Sequence, residues 1–377
     1  MKEIRFMNQQ KHKRVIISGG GTGGHIYPAI SIANALRKID PQIEILFVGA
    51  EGRMEMEKIP EAGYRIIGLP VAGLHRSLSL KNISVLIKLL KSLNKAKKVI
   101  KEFRPDVVVG VGGYASGPVL RQAGRMGIPT LIQEQNSYAG VTNKLLAKKA
   151  ATICVAYDGM EKYFPAGKII KTGNPVRQNF ENLRSLQHEA LSFFNLKKEF
   201  PVILVLGGSL GAGTINNSLS ENINKLRDSD CQWLWQTGKY YFENVKALVS
   251  LTFSGNISVH GFINRMDYAY AAADIIVSRA GAGTISELCL VGKPAILIPS
   301  PNVAEDHQTR NAEALTKRDA ALLIADNQAV KSLVDEAIKL IADKTRRDRF
   351  SENIRKMADK DADLRIAREV LKLTKND

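Results

Sequence analysis

Between Ser18 and Ile30 the chain reads SGGGTGGHIYPAI: five glycines, then His25, then a proline. An imidazole with its ordinary pKa of about 6.5 takes or gives a proton near neutrality. Glycines ahead of a helix let backbone N–H groups converge on an anion, and the helix macrodipole adds partial positive charge at the same place. These residue types together suit proton transfer beside a phosphate. No Gly-Lys-Ser/Thr follows, so the stretch is not a P-loop. The G-x-G-x-x-G order and a lone acid after the second strand are also missing, which disfavours a nicotinamide dehydrogenase.

The same grammar returns three times. GVGGYASGP (110–118) follows DVVVG, GGSLGAG (207–213) follows PVILVL, and SRAGAGTISE (278–287) follows DIIV. Open α/β sheets bind ligands at the carboxyl ends of parallel strands, where these turns fall. Two pairs of such loops would hold two phosphorylated molecules, a donor and an acceptor.

Elements must carry the loops there. RVIISGG (14–20), IEILFVGA (43–50), RIIGLPV (65–71), DVVVGVGG (106–113), PTLIQEQN (129–136) and ATICVAY (151–157) read as strands, with a helix over Pro28–Ile39. The pattern breaks at KTGNPVRQNF (171–180) and restarts with PVILVLGG, CQWLWQTG, NISVHGF, DIIVSRAG, PAILIPS and AALLIAD. Near-continuous apolar strands joined by helices imply parallel sheets covered on both faces. The expectation is two doubly wound α/β domains in tandem. The first runs over 1–176, joined by a C-terminal helix at about 350–377; the second runs over 177–349.

The chain has 377 residues and a formal net charge of +17, a balance that suits nucleic acid, an anionic membrane or phosphorylated substrates. Aromatic residues are 6%, and no basic aromatic platform occurs, which argues against a nucleic-acid partner. Cys154, Cys231 and Cys289 stand singly and far apart, with neither disulfide nor metal-ligand spacing, as in a reducing compartment. DSD (228–230) and DAD (361–363) read as solvated charge rather than metal motifs. The start of the chain reads as no signal peptide, and no apolar run is long enough for a membrane span. Over 74–104, Leu80, Ile83, Ile87, Leu90 and Leu93 recur at helical spacing among lysines, as expected of a helix that is part core and part membrane surface.

GGGTGGHIYPA, GVGGYASGP, QEQNSYAGVTN, TGNPVR, GGSLGA, SRAGAGTISE and PNVAEDHQTRNA, in this order along nearly the whole chain, resemble the bacterial UDP-N-acetylglucosamine:N-acetylmuramyl-(pentapeptide) pyrophosphoryl-undecaprenol N-acetylglucosamine transferases. The resemblance implies a GT-B fold, two Rossmann-like domains around a central cleft. It implies an inverting transfer of N-acetylglucosamine from UDP-N-acetylglucosamine to lipid I, giving lipid II for peptidoglycan, cell division and cell shape. It implies no cofactor, no bound metal and a peripheral place on the cytoplasmic face of the membrane. A different GT-B transferase with a lipid acceptor, such as a diacylglycerol glycosyltransferase, is the alternative.

By that resemblance Gly21, Gly112 and Gly113 face the acceptor diphosphate. Thr22, Gly23, Gly24, Asn136, Arg177, Ser209, Ile263, Ala282, Gly283, Thr284, Glu287 and Gln308 meet substrate. Ser209 would bond a phosphate, the Ile263 backbone the uracil, Glu287 the ribose hydroxyls and Gln308 the sugar. Thr309 stands where the family has a second glutamine. His25, Glu134 and Tyr114 compete as the base that takes the proton of the attacking hydroxyl. Plainer readings stand beside these. Arg177 could be linker charge, Glu287 first-turn helix decoration, Asn136 a helix cap, and His25 a brace for its loop.

Overall fold

The computed structural model describes residues 12–71, 81–176, 180, 182–208, 210–252, 254–303 and 306–374. The chain divides into two units, Met1–Pro175 with Ala362–Asp377, and Val176–Asp361. The first unit holds strands β1 (Arg14–Ser18), β2 (Glu44–Ala50), β3 (Arg65–Leu69), β4 (Val107–Gly110), β5 (Thr130–Glu134), β6 (Thr152–Val155) and β7 (Ile169–Lys171). Its helices are α1 (Gly23–Ile39), α2 (Glu55–Glu61), α3 (Lys81–Phe103), α4 (Ser116–Arg125) and α5 (Val141–Leu146). The second unit holds α6 (Gln187–Phe193), β8 (Val202–Leu206), α7 (Gly213–Glu221), α8 (Ile223–Arg227), β9 (Gln232–Gln236), α9 (Phe242–Leu251), β10 (Ile257–His260) and α10 (Met266–Ala272). It continues with β11 (Ile275–Ser278), α11 (Ala282–Val291), β12 (Ala295–Leu297), α12 (His307–Thr316), β13 (Leu322–Leu323), α13 (Asp326–Ala342) and α14 (Lys344–Lys356). The last helix, α15 (Ala362–Leu373), returns to the first unit.

Both sheets are parallel, ordered β3-β2-β1-β4-β5-β6-β7 and β10-β9-β8-β11-β12-β13. Strand order reverses between β1 and β4 in one and between β8 and β11 in the other. Those switch points are where open sheets leave a crevice, and the four glycine turns follow these four strands. Alternation across the pleat makes two cores per sheet. Val15 and Ile17 pack with α1, α2 and α15 on one face, while Ile16 and Val108 pack with α3 and α4 on the other. In the second unit Leu204 and Leu206 pack with α10 and α11, and Ile203 and Val205 with α7 and α13.

Several sequence expectations change. The first helix opens at Gly23, not Pro28, because the last two glycines of the loop already have helical backbone. The three-residue edge strand β7 has too little length to announce itself as a pattern. The chain rejoins the first unit at Ala362 rather than near 350, since Phe350 and Ile354 of α14 are buried in the second unit's cores. Asp363 of the DAD stretch is buried rather than solvated, whereas Asp228 of DSD lies on the surface paired with Arg227. The three cysteines are free and buried.

The return of α15 is anchored twice. Ile366, Ala367 and Val370 are wholly buried in the core under α1, and Arg365 donates from Nε and Nη2 to the Thr172 carbonyl, at 3.1 and 2.7 Å. Ile366→Ala is expected to destabilise the first unit by about 2–5 kcal/mol, the usual range for emptying a buried isoleucine. A denaturant midpoint unchanged from the parent protein would mean that α15 is an appendage.

Candidate active site

In the first unit the site grows from two loops that touch. Gly113 (φ +83°) lies so close to Gly20 that a Cβ there would collide with the Gly20 carbonyl oxygen. Gly112 (φ +95°) lies against the imidazole of His25, where a Cβ would sit 2.8 Å from Cε1 and 2.9 Å from Nδ1. The glycines of GVGGY are therefore needed first for loop packing.

His25 occupies the first turn of α1. Thr22 is the N-cap, with extended backbone and no side-chain cap bond, and its carbonyl accepts from the N–H groups of His25 and Ile26. Gly23 and Gly24 consequently present N–H groups that have no acceptor within the helix. Gly21, expected to face a diphosphate, instead donates its N–H to Glu55 Oε2 at 2.9 Å. Glu55 is fully buried and also accepts from Ala50 N–H, so its carboxylate braces the loop. A buried carboxylate requires such donors.

The imidazole is half-buried, and burial lowers its pKa below 6.5 against the opposing pull of Glu134, Gln135, the Val111 carbonyl and Glu55. Burial thus favours the neutral ring. Nδ1 lies 3.2 Å from Gln135 Oε1, and no side chain among the described residues bonds Nε2. A neutral imidazole with a free ring nitrogen can accept a proton.

The two rival bases are placed differently. Glu134 is 2% exposed. Its Oε1 accepts from Asn136 N–H and Nδ2, and its Oε2 from Gly140 N–H and Asn143 Nδ2, at 2.8 to 3.3 Å. Four donors hold it as the clamp of the turn after β5. Asn136 is bound into this clamp, while the cap of α5 is Gly140. Tyr114 stands exposed, with no hydrogen-bond partner among the described residues.

The second unit carries its own loops. Gly238 after β9 lies against Gly211 after β8, so again two turns meet backbone to backbone. Helix α11 starts after Gly281, which has extended backbone and no side-chain cap, leaving the N–H groups of Ala282, Gly283 and Thr284 without helical acceptors. Glu287 falls in the second turn of α11, beyond the helix start, and its Oε2 accepts from Tyr270 Oη at 3.1 Å. Gln308 Oε1 accepts from the N–H groups of Ala280 and Ser300, at 3.3 and 2.9 Å, tying the loops after β11 and β12 together. Thr309 donates from Oγ1 to Asp306 Oδ1 at 2.6 Å at the start of α12. Ile263 N–H is taken by Gln236 Oε1 at 2.9 Å. Arg177 and Ser209 lie outside the described residues.

Several residues with a part in this architecture carried no sequence signal strong enough to single them out. Gln236 holds both Ile263 and the Gly208 carbonyl. Arg279 bonds the carbonyls of Ile298 and Pro299 and pairs with Asp326. Glu55, Gln133, Gln135 and Asn174 are buried polar groups beside the first unit's loops. The available signal was a polar residue ending an apolar strand, as in QWLWQ and TLIQEQ. Among the described residues no three His, Cys, Asp or Glu side chains cluster as metal ligands would.

Two parallel-sheet units with glycine turns at their switch points define a glycosyltransferase when the sequence models are set beside them. The glycosyltransferase family 28 N-terminal domain matches residues 15–155 and the family's C-terminal domain matches 202–366. The chain belongs to glycosyltransferase family 28, of GT-B fold, and within it to the UDP-N-acetylglucosamine--N-acetylmuramyl-(pentapeptide) pyrophosphoryl-undecaprenol N-acetylglucosamine transferases. The protein so named from Parabacteroides distasonis is 58% identical over 360 residues, spanning 96% of this chain and 98% of that one. The one from Bacteroides thetaiotaomicron is 58% identical over 366 residues, spanning 97% and 98%. The crystal structure of Acinetobacter baumannii MurG superposes with a TM-score of 0.73 at 27% identity, covering 96% of this chain and 99% of that one.

The loop contacts separate glycines that must be glycine from those that need not be. Gly112→Ala should cost about 1–3 kcal/mol, as a left-handed non-glycine residue does, and should displace the imidazole it strikes. Gly24→Ala should be nearly neutral in stability: its φ is not positive, and its Cβ would meet only Thr22 Oγ1 at 3.6 Å. Equal melting temperatures for the two variants would contradict this assignment.

Proposed function

We propose that the chain moves N-acetylglucosamine from UDP-N-acetylglucosamine to the C4 hydroxyl of the muramyl sugar of lipid I, with inversion, giving lipid II. The observation that carries the reaction chemistry is His25: a neutral imidazole with bare Nε2, at the amino end of α1, beside unspent backbone N–H groups. The relatives' names supply the substrates.

In this reading His25 takes the proton as the hydroxyl attacks the anomeric carbon and UDP departs. Charge grows on the leaving diphosphate, and fixed N–H dipoles stabilise it best when aimed there in advance. Ala282, Gly283 and Thr284 at the start of α11 fill that role, aided by Ser209 and Arg177. Glu287 receives the ribose hydroxyls, the Ile263 carbonyl the uracil, and Gln308 the sugar. Thr22, Gly23, Gly24, Gly112 and Gly113 serve the acceptor end, and Asn136 the donor. The positive ends of helices carry the charge that a cation carries elsewhere, so no metal is required.

A lipid-linked acceptor calls for an approach to a bilayer. On α3, Ile87, Leu89 and Leu90 are exposed alongside exposed Lys88 and Lys91, while Val85, Val99 and Ile100 are buried. Such a face suits a peripheral contact with anionic lipid on the cytoplasmic side. No helix among the described residues is long and apolar enough to cross a membrane.

Labelled UDP-N-acetylglucosamine and a lipid I analogue test the reaction directly, and turnover should survive excess EDTA. Loss restored by Mg²⁺ would refute the metal-free mechanism. Glu287→Ala should raise the donor KM by roughly 10- to 100-fold, given about 1.5–3 kcal/mol for a hydrogen bond to a charged group. Calorimetry showing unchanged UDP-N-acetylglucosamine affinity would remove Glu287 from the site. His25→Ala should lower kcat by about 10²–10⁴-fold. Because the base must be neutral and burial lowers its pKa, kcat should hold as pH falls to about 6.5 and decline only below it. An acid limb above that value would point to another group.

A further inference from the structure

We infer that Gln135 is a positioning residue that selects the tautomer of His25, keeping the proton on Nδ1 and the lone pair on Nε2. The inference rests on the reading of His25 as the base and extends it to three buried amides with no assigned role.

The chain of hydrogen bonds has a direction that its fixed end dictates. A backbone carbonyl only accepts, so the Gln135 atom 2.8 Å from the Val111 oxygen is Nε2. The same NH₂ donates to Gln133 Oε1. Gln135 Oε1 is therefore the atom facing His25, 3.2 Å from Nδ1, and two facing acceptors cannot bond. Nδ1 must carry the proton, so in the neutral ring Nε2 is bare. Gln133 cannot turn over either, because its Oε1 accepts from Gln135 while its Nε2 lies 3.4 Å from Asn174 Oδ1. Asn174 Nδ2 in turn donates to the Gln135 carbonyl at 3.0 Å.

All three amides are at most 3% exposed, so water does not offer them alternative partners. Gly112 backs the ring at the Cε1–Nδ1 edge and keeps Nδ1 beside Gln135. The carboxylates facing the ring are Glu134, at the end of β5, and Glu55, at the start of α2. Glu134 is spent on four donors of its turn and Glu55 on the N–H groups of Gly21 and Ala50, so neither takes the Nδ1 proton. A neutral amide at Nδ1 fixes the tautomer and leaves the ring's proton affinity low. A carboxylate there would fix the same tautomer and raise it.

Nitrogen-15 NMR of the histidine-labelled full chain reads the tautomer, with His25→Gln assigning the signal. The unaltered protein should show Nδ1–H and a bare Nε2 at pH above the ring's titration. An Nε2–H ring would overturn the proposal, and this measurement needs no buried variant to fold. Gln135→Leu should shift the ring toward Nε2–H and lower kcat by roughly 10- to 100-fold, part of the ~10²–10⁴-fold that a general base supplies, with donor KM unchanged. If Gln135→Leu keeps kcat within about twofold while His25→Gln is inactive, His25 acts without this positioning and the proposal alone fails. Full turnover by His25→Gln would remove the base reading and the proposal with it.

Discussion

The first unit depends on one close approach, the backbone of Gly113 against the carbonyl of Gly20. No side chain fits between these turns. Because β1 and β4 are neighbours at the switch point, their loops leave the sheet side by side, and only a bare backbone lets them close on one another. That closure puts Gly112 against the Cε1–Nδ1 edge of His25, whose Nδ1 faces Gln135. The glycines that looked like a phosphate cradle are thus in part a hinge plate for the histidine, while Gly23 and Gly24, just inside the helix, keep N–H groups to offer.

The second unit uses the same means in a different place. Its backbone contact joins the turns after β8 and β9, at Gly211 and Gly238, rather than those at the switch point. The turn after β11 is tied down by side chains instead, with Arg279 on the carbonyls after β12 and Gln308 on the amides of Ala280 and Ser300. What the two halves share is unspent helix N–H groups above a parallel sheet, at α1 and at α11. They differ in the first turn of those helices, where α1 carries the imidazole of His25 and α11 carries none.

The sheets were legible because period and composition agree: VVVG, VILVL and IIVS are buried on both faces and can be little else. The loops were legible as places, through glycine at the ends of those strands. Individual roles within them were not. Whether Gly24 or Gly113 needs its missing Cβ depends on what stands opposite, which is a long-range fact. Glu134 sits in the most chemical-looking motif, QEQN, yet its four donors include the Gly140 and Asn143 groups that only the folded turn delivers. The reverse holds for Asn174: TGNPVR marked a domain break, and its asparagine turns out to close an amide chain that begins at His25. Polar residues buried by tertiary contact leave no periodic trace, so sequence reading finds the frame more readily than the wiring.

The return of α15 sets an order of events. The helix that bears His25 packs against residues 362–373, the last helix of the chain. A ribosome makes α1 near the start and its covering helix only at the end, after the whole second unit has emerged. Until then the apolar face formed by Ile26, Ile32 and Leu36 lacks its lid. The first half of the molecule therefore cannot finish its core ahead of the second, and a chain cut short before residue 362 is left with that face of α1 uncovered.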